Sequence, residues 1–150
     1  MTCFLIADRR YSLLSGMGAA LYGGRWNSVG SEMLYTSLTF AGAILEKLVH
    51  TNTGSISQTQ AWIRLEVPSS LPIHAFEEDD ISDWLSDQAG CRNYGDKWLI
   101  SGASVGLIVP SIIGRPHEMN LLLNPKHPGF GEILTSEPAA VDWDPRLFSR

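Results

Sequence analysis

Disulfides have little to work with in this chain. Only two cysteines, Cys3 and Cys91, occur in 150 residues, and they make no framework. In a reducing compartment both stay thiols. Long apolar runs are also missing, and none approaches the roughly 20 residues that a membrane span needs. The run Cys3–Ala7 is too short for the core of a signal peptide, and no basic segment precedes it. The expectation is a cytoplasmic protein with no membrane contact. Positive charge is scarce: 16 acids face 11 bases, for a net charge of -5. Nucleic-acid binders usually carry a basic patch, so a DNA reader is disfavoured and no direct nucleic-acid partner is expected. A ribonuclease is disfavoured too, because RNA affinity is largely electrostatic. There are no repeats, low-complexity stretches or interdomain linkers. Gly16 and Gly18 lack the following glycine and the βαβ context of a dinucleotide fingerprint, and no P-loop or Gly-x-Ser-x-Gly elbow occurs.

What is present suits one domain over residues 1–150. A content of 44% hydrophobic and 18% charged residues can fill a core. A chain of this size buries roughly 70% of its unfolded surface without a disulfide or metal. Phe4–Ala7 reads as a first strand, Tyr11–Asn27 as a glycine- and serine-rich loop, and Met33–Thr36 as a short strand. Ser37–His50 reads as a helix capped by Ser37 or Thr39 and ended by Asn52 and Gly54. Its apolar stripe is Leu38, Ala41, Leu45, Leu48 and Val49. Ala61–Val67 alternates as a half-buried strand. The acids Glu77–Asp80 before Ile81–Leu85 suit a helix start, and Asp96 a second short helix through Trp98 and Leu99. Val105–Val109 and Met119–Leu123 are apolar strands, and Val141–Phe148 is a packed, irregular tail. Strands and helices do not alternate regularly, so the expected class is α+β: a compact single domain with a mixed-sheet core and flanking helices.

The informative stretch runs from Tyr22 to His50. Arg25 follows two glycines, which let backbone approach a ligand, and its guanidinium suits phosphate oxygens; a surface arginine after a flexible turn is the plainer alternative. Tyr35 is either a stacking surface for a flat ligand or a sheet-face residue. Glu46 lies off the centre of the apolar stripe, one turn after Gly42 and Ala43 and one turn before His50. Such small neighbours suit either a ligand-facing helix or a close helix–sheet contact.

Taken together, Gly23-Gly24-Arg25-Trp26-Asn27-Ser28, Tyr35 and Glu46-Lys47-Leu48-Val49-His50 resemble the RES-domain toxins of bacterial toxin–antitoxin pairs. The likeness continues through Gly95–Leu99, Val109-Pro110-Ser111, Asn120–Pro128 and Asp144–Phe148, and so covers nearly the whole chain. It implies an ADP-ribosyltransferase-like (RES) fold and an enzyme that degrades NAD. NAD would be the substrate, held without a Rossmann fold and without a metal. The residues that name the family map onto Arg25, Glu46 and Ser111, and Tyr35 matches its active-site tyrosine. The resemblance thus implies Glu46, Arg25 and Tyr35 as catalytic residues, with Arg25, Tyr35, Asn27, Ser111 and Asn124 contacting NAD. It also implies an Xre-type helix-turn-helix antitoxin as partner. Many members carry an arginine in the first strand, where this chain has Phe4-Leu5-Ile6.

Cleaving the nicotinamide–ribose bond builds cationic character on the ribose, so a carboxylate such as Glu46 is the group required. Water as acceptor gives a glycohydrolase and phosphate a phosphorylase. A protein side chain gives a mono-ADP-ribosyltransferase with a target protein. A non-catalytic binding module is a further alternative. His74 with Glu77–Asp80, and His117, Glu118 and His127, match no metal-ligand spacing and read as loop residues.

Overall fold

The computed structural model describes residues 1–51 and 57–148. Strands β1 (Thr2–Asp8), β2 (Leu34–Ser37), β3 (Gln60–Glu66), β4 (Ile73–Ala75), β5 (Gly106–Pro110), β6 (Met119–Leu123), β7 (Leu134–Thr135) and β8 (Ala139–Ala140) form one sheet. Its order is β4-β5-β6-β2-β1-β3-β7, with β8 also paired to β3. Among the described residues only β4 and β5 run parallel; the other pairs are antiparallel. Among the described residues three α-helices, α1 (Met17–Tyr22), α2 (Phe40–Val49) and α3 (Gln88–Ser101), complete the α+β architecture.

The sheet is covered on both faces. Cys3, Leu5, Leu34, Ile63, Leu65, Leu121 and Leu123 form one core, closed by Leu13, Leu14, Phe130 and Ile133. Leu107, Val109 and Leu122 face the other side, where they pack with Cys91 and Trp98 of α3 and with Trp26, Met33, Phe76 and Trp84. Residues paired directly across strands share a face. The register therefore puts Leu107, Leu122 and Tyr35 in one row on this second side, and Val109, Asn120, Ser37 and Phe4 in the next. Phe4 meets Phe40 of α2 edge to face at 5.7 Å. Thus α2 and α3 lie on the same side of the sheet, with Tyr35 and Asn120 on the strands between them.

The expected strands form, and the alternation of β3 is as read: Ala61, Ile63, Leu65 and Val67 are buried while Arg64 is exposed. Thr39 caps α2 by accepting from the Gly42 amide at 2.9 Å. Asn52 and Gly54, expected to end that helix, lie outside the described residues.

Four expectations need correction. The tail Val141–Phe148, expected to be packed, is largely exposed, with a 3-10 turn at Pro145–Leu147. The loop Tyr11–Asn27 contains α1, a short helix bounded by Gly16 (φ 68°) and Gly23 (φ 70°). The two helix starts expected at Ile81 and Asp96 are replaced by one helix, Gln88–Ser101, capped by Asp87; only a 3-10 turn, Glu78–Asp80, forms earlier. The stripe expected to bury α2 faces the wrong way: Gly42 and Ala43 are buried, whereas Leu45 is 40% and Val49 55% exposed. Close approach decides this orientation. A Cβ on Gly42 would meet Thr39 Oγ1 at 2.9 Å, Glu118 Oε2 at 3.1 Å and Ser37 Cβ at 3.4 Å, so this face of the helix is crowded by its own cap and by Glu118.

Candidate active site

Tyr35 projects from β2 toward the turn that carries Arg25. Its hydroxyl donates to Asn27 Oδ1 at 2.7 Å and accepts from the Trp26 amide at 3.0 Å. A Cβ on Gly24 would lie 2.5 Å from Tyr35 Oη, so glycine there is what lets the phenol reach the turn. Burial raises the phenol above its ordinary pKa, keeping it a neutral donor. The turn is gripped by α3 as well. Asp96 accepts from the amide and the hydroxyl of Ser28 at 2.9 and 2.5 Å. A Cβ on Gly95 would fall 1.7 Å from the Trp26 carbonyl oxygen.

The Arg25 guanidinium points to the segment before α3. Its Nη2 donates to the carbonyls of Trp84 and Leu85 at 2.8 and 2.7 Å, and its Cζ lies 5.5 Å from the Trp84 ring centroid. Its Nε is buried without a hydrogen-bond partner. Arg25 thus ties the turn holding Tyr35 to the Trp84–Leu85 backbone.

Glu46 of α2 is half-buried and meets two donors on one oxygen. Ser111 Oγ donates to Oε1 at 2.8 Å and Asn120 Nδ2 at 2.9 Å. Ser111 is 1% exposed, and its oxygen in turn accepts from the Gly114 amide at 3.1 Å. Asn120 Oδ1 accepts from Ser37 Oγ at 2.9 Å. Among the described residues no hydrogen bond reaches Glu46 Oε2. Ser37 and Tyr35 are two residues apart on one strand, about 6.5 Å along the same face. The carboxylate cluster and the phenol therefore share the strip of sheet between α2 and α3.

These groups gather at one end of the sheet. Ser111 follows β5, the segment leading to Trp84 follows β4, Asn120 is the second residue of β6 and Ser37 ends β2. Asn124 follows β6 at the opposite end, four residues or about 13 Å beyond Asn120. Its side chain donates to the Leu99 carbonyl at 3.3 Å and accepts from the Lys126 amide at 3.0 Å. Asn27 is wholly buried, and its Nδ2 donates to the carbonyls of Ala19, Ser28 and Ser31. Both asparagines, expected as NAD contacts, make hydrogen bonds within the fold, and Asn27 Oδ1 accepts from the Tyr35 hydroxyl. Leu5, in the strand where many members carry an arginine, is buried in the opposite core. Ser37, read as a possible helix cap, and Asn120, within the family-like stretch Asn120–Pro128, were not anticipated as partners of Glu46. The further signal they carry is polarity beside short apolar strands.

An open groove of about 470 Å³ between β4 and α3, lined by His74, Tyr94, Lys97 and Trp98 among others, contains none of these residues. Among the described residues no group of three or more His, Cys, Asp or Glu is placed to hold a metal ion. No helix described is long and apolar enough to cross a membrane.

Comparison with known proteins decides the family. The RES domain family model matches residues 2–144. The chain belongs to the RES domain family. Among its RES relatives, "Toxin Res" of Yersinia enterocolitica is 38% identical over 98% of this chain and 99% of its own length. "Prs ADP-ribosylating toxin" of a Sphingobium species is 34% identical over 91% of this chain and 88% of its own. A similar RES fold appears in the "M.tuberculosis MbcT-MbcA toxin-antitoxin complex", with a TM-score of 0.71 at 20% identity, over 98% of this chain and 86% of that one.

Proposed function

We propose that this RES protein is the toxin of a toxin–antitoxin pair and that it cleaves the nicotinamide–ribose bond of NAD. The observation that carries the reading is Glu46: Oε1 is fixed by Ser111 and Asn120, and Oε2 makes no hydrogen bond among the described residues. A carboxylate held this way can accept a ribose hydroxyl and face the positive charge that develops as the bond breaks. The electron pair of the C1′–N1 bond passes to the pyridinium nitrogen, so nicotinamide leaves neutral and needs no acid. Water then bonds to C1′ and releases a proton, giving ADP-ribose. Phosphate in place of water gives the phosphorylase outcome.

In this reading Tyr35 packs on nicotinamide, and Ser111 serves by holding Glu46. Arg25 keeps the Trp84–Leu85 wall in place through Nη2 and presents Nη1 to phosphate or ribose, its Nε being buried. The mono-ADP-ribosyltransferase reading, with a target protein as acceptor, has its support in the printed name of the Sphingobium relative. An antitoxin partner is supported by the complex in which the similar fold was solved; we assign it to the Xre type, which would carry the DNA-binding activity, and place both in the cytoplasm.

The test is to incubate the purified chain with NAD and measure nicotinamide, free ADP-ribose and protein-bound label, with and without phosphate. Nicotinamide release that Glu46→Ala abolishes supports the reading. Equal turnover by the two proteins overturns the mechanism, and no turnover by wild type leaves the binding-module alternative standing.

A further inference from the structure

We infer that Ser37 and Asn120 form a positioning relay that sets the orientation of Glu46. The inference rests on the proposed role of that carboxylate. An asparagine amide has a donor end and an acceptor end, and what lies on each side decides which way it points. Here the acceptor end, Oδ1, receives Ser37 Oγ–H at 2.9 Å, and the donor end, Nδ2, gives to Glu46 Oε1 at 2.9 Å. Reversing the amide would set its oxygen against the acceptor-only carboxylate, whereas the Ser37 hydroxyl fits either end; Glu46 therefore fixes which way the amide points, and Ser37 anchors its far end.

The relay crosses three elements. Ser37 ends β2, Asn120 lies opposite it on β6, and Glu46 stands on α2 above them. Ser37 is 3% exposed, so its proton has little access to water as an alternative acceptor. Thr39 supplies the helix cap, which leaves Ser37 free for the relay. Ser111 donates to the same Oε1, so both donors hold one oxygen and the second is left for a ligand. Neither Ser37 nor Asn120 needs to touch substrate for this to work. Their effect is to keep a flexible glutamate in one rotamer, and pre-orientation of this kind acts on kcat more than on ground-state binding.

The experiment is a double-mutant cycle on nicotinamide release, with NAD affinity measured by calorimetry and melting temperature recorded for each protein. Asn120→Ala removes a hydrogen bond to a charged group, and we expect kcat to fall about 10- to 100-fold. Ser37→Ala removes a neutral one, and we expect a fall of about 3- to 10-fold. In the Asn120→Ala background Ser37→Ala should cost less than about twofold, because the group it orients is gone. NAD affinity should stay within about twofold throughout, since ground-state binding is not what the relay serves. Losses that multiply in the double variant overturn the relay, as does weakened affinity with unchanged kcat. If wild type releases no nicotinamide, it is the NAD reading that fails. The relay is then judged by crystal structures of the same variants, where an unmoved Glu46 side chain overturns it.

Discussion

Ser111 Oγ donates to Glu46 Oε1 at 2.8 Å, joining two residues 65 positions apart in the chain. One follows a strand and the other stands on a helix. Their contact brings two of the candidates that the family resemblance implied into a single cluster, and Asn120 completes it from β6.

The first prediction concerns Glu46 itself. Removing a single well-placed electrostatic group lowers rates by about 10²–10³. Glu46→Gln should therefore cut nicotinamide release by that order while circular dichroism and the melting temperature stay near wild type. Loss of the folded signal in step with activity would argue for a structural role.

Tyr35→Phe should separate packing from hydrogen bonding. It leaves the ring but strands the Trp26 amide and Asn27 Oδ1, at a cost of about 1–3 kcal/mol in denaturant unfolding. An unchanged unfolding midpoint would show that these two bonds do not secure the turn.

Gly95→Ala tests the clamp between α3 and the Arg25 turn. The new Cβ would lie 1.7 Å from the Trp26 carbonyl oxygen, so helix or turn must move. Overpacking of this kind costs about 1–3 kcal/mol, sometimes more. We expect lower stability and impaired nicotinamide release together. Wild-type values for both would mean that the turn yields freely.

Alkaline pH should destabilise the fold through Cys3. Burial raises its thiol from 9.0 to about 11, with a smaller opposing effect from Thr36. A raised native pKa means that the native state binds the proton more tightly. The stability is full below pH 9 and is lost as pH rises toward 11, by roughly 3 kcal/mol for two pKa units. Tyr94, pushed up to about 12 chiefly by burial and then by Asp80, extends the loss upward. Melting curves in reducing buffer should decline over pH 9–11, and Cys3→Ala should flatten that part. An identical decline in the variant would assign the effect elsewhere.

Alternation in β3 and the hydroxyl cap of α2 were legible because period-two burial and capping are local properties, set by residues a few positions apart. The extent of α3 was not. Its acidic approach resembles a helix start, yet Glu77 and Asp80 cap only a 3-10 turn, and Asp87 begins the helix. The hidden face of α2 was misread for a similar reason. Apolar spacing marks a stripe but does not say which helix face other segments, here the Thr39 cap and Glu118, will crowd.

The sequence by itself determined the five longer strands, the α+β class and, by the order of its motifs, the family and the candidates Arg25, Tyr35, Glu46 and Ser111; the short β4, β7 and β8 were not legible in it. Only the tertiary structure decided what those candidates touch. It put Asn27 behind Tyr35, sent Asn124 to the far end of the sheet and brought Ser37 and Asn120 to Glu46. Side-chain hydrogen bonds between distant segments depend on strand register and helix placement, and neither is written in the local pattern of residues.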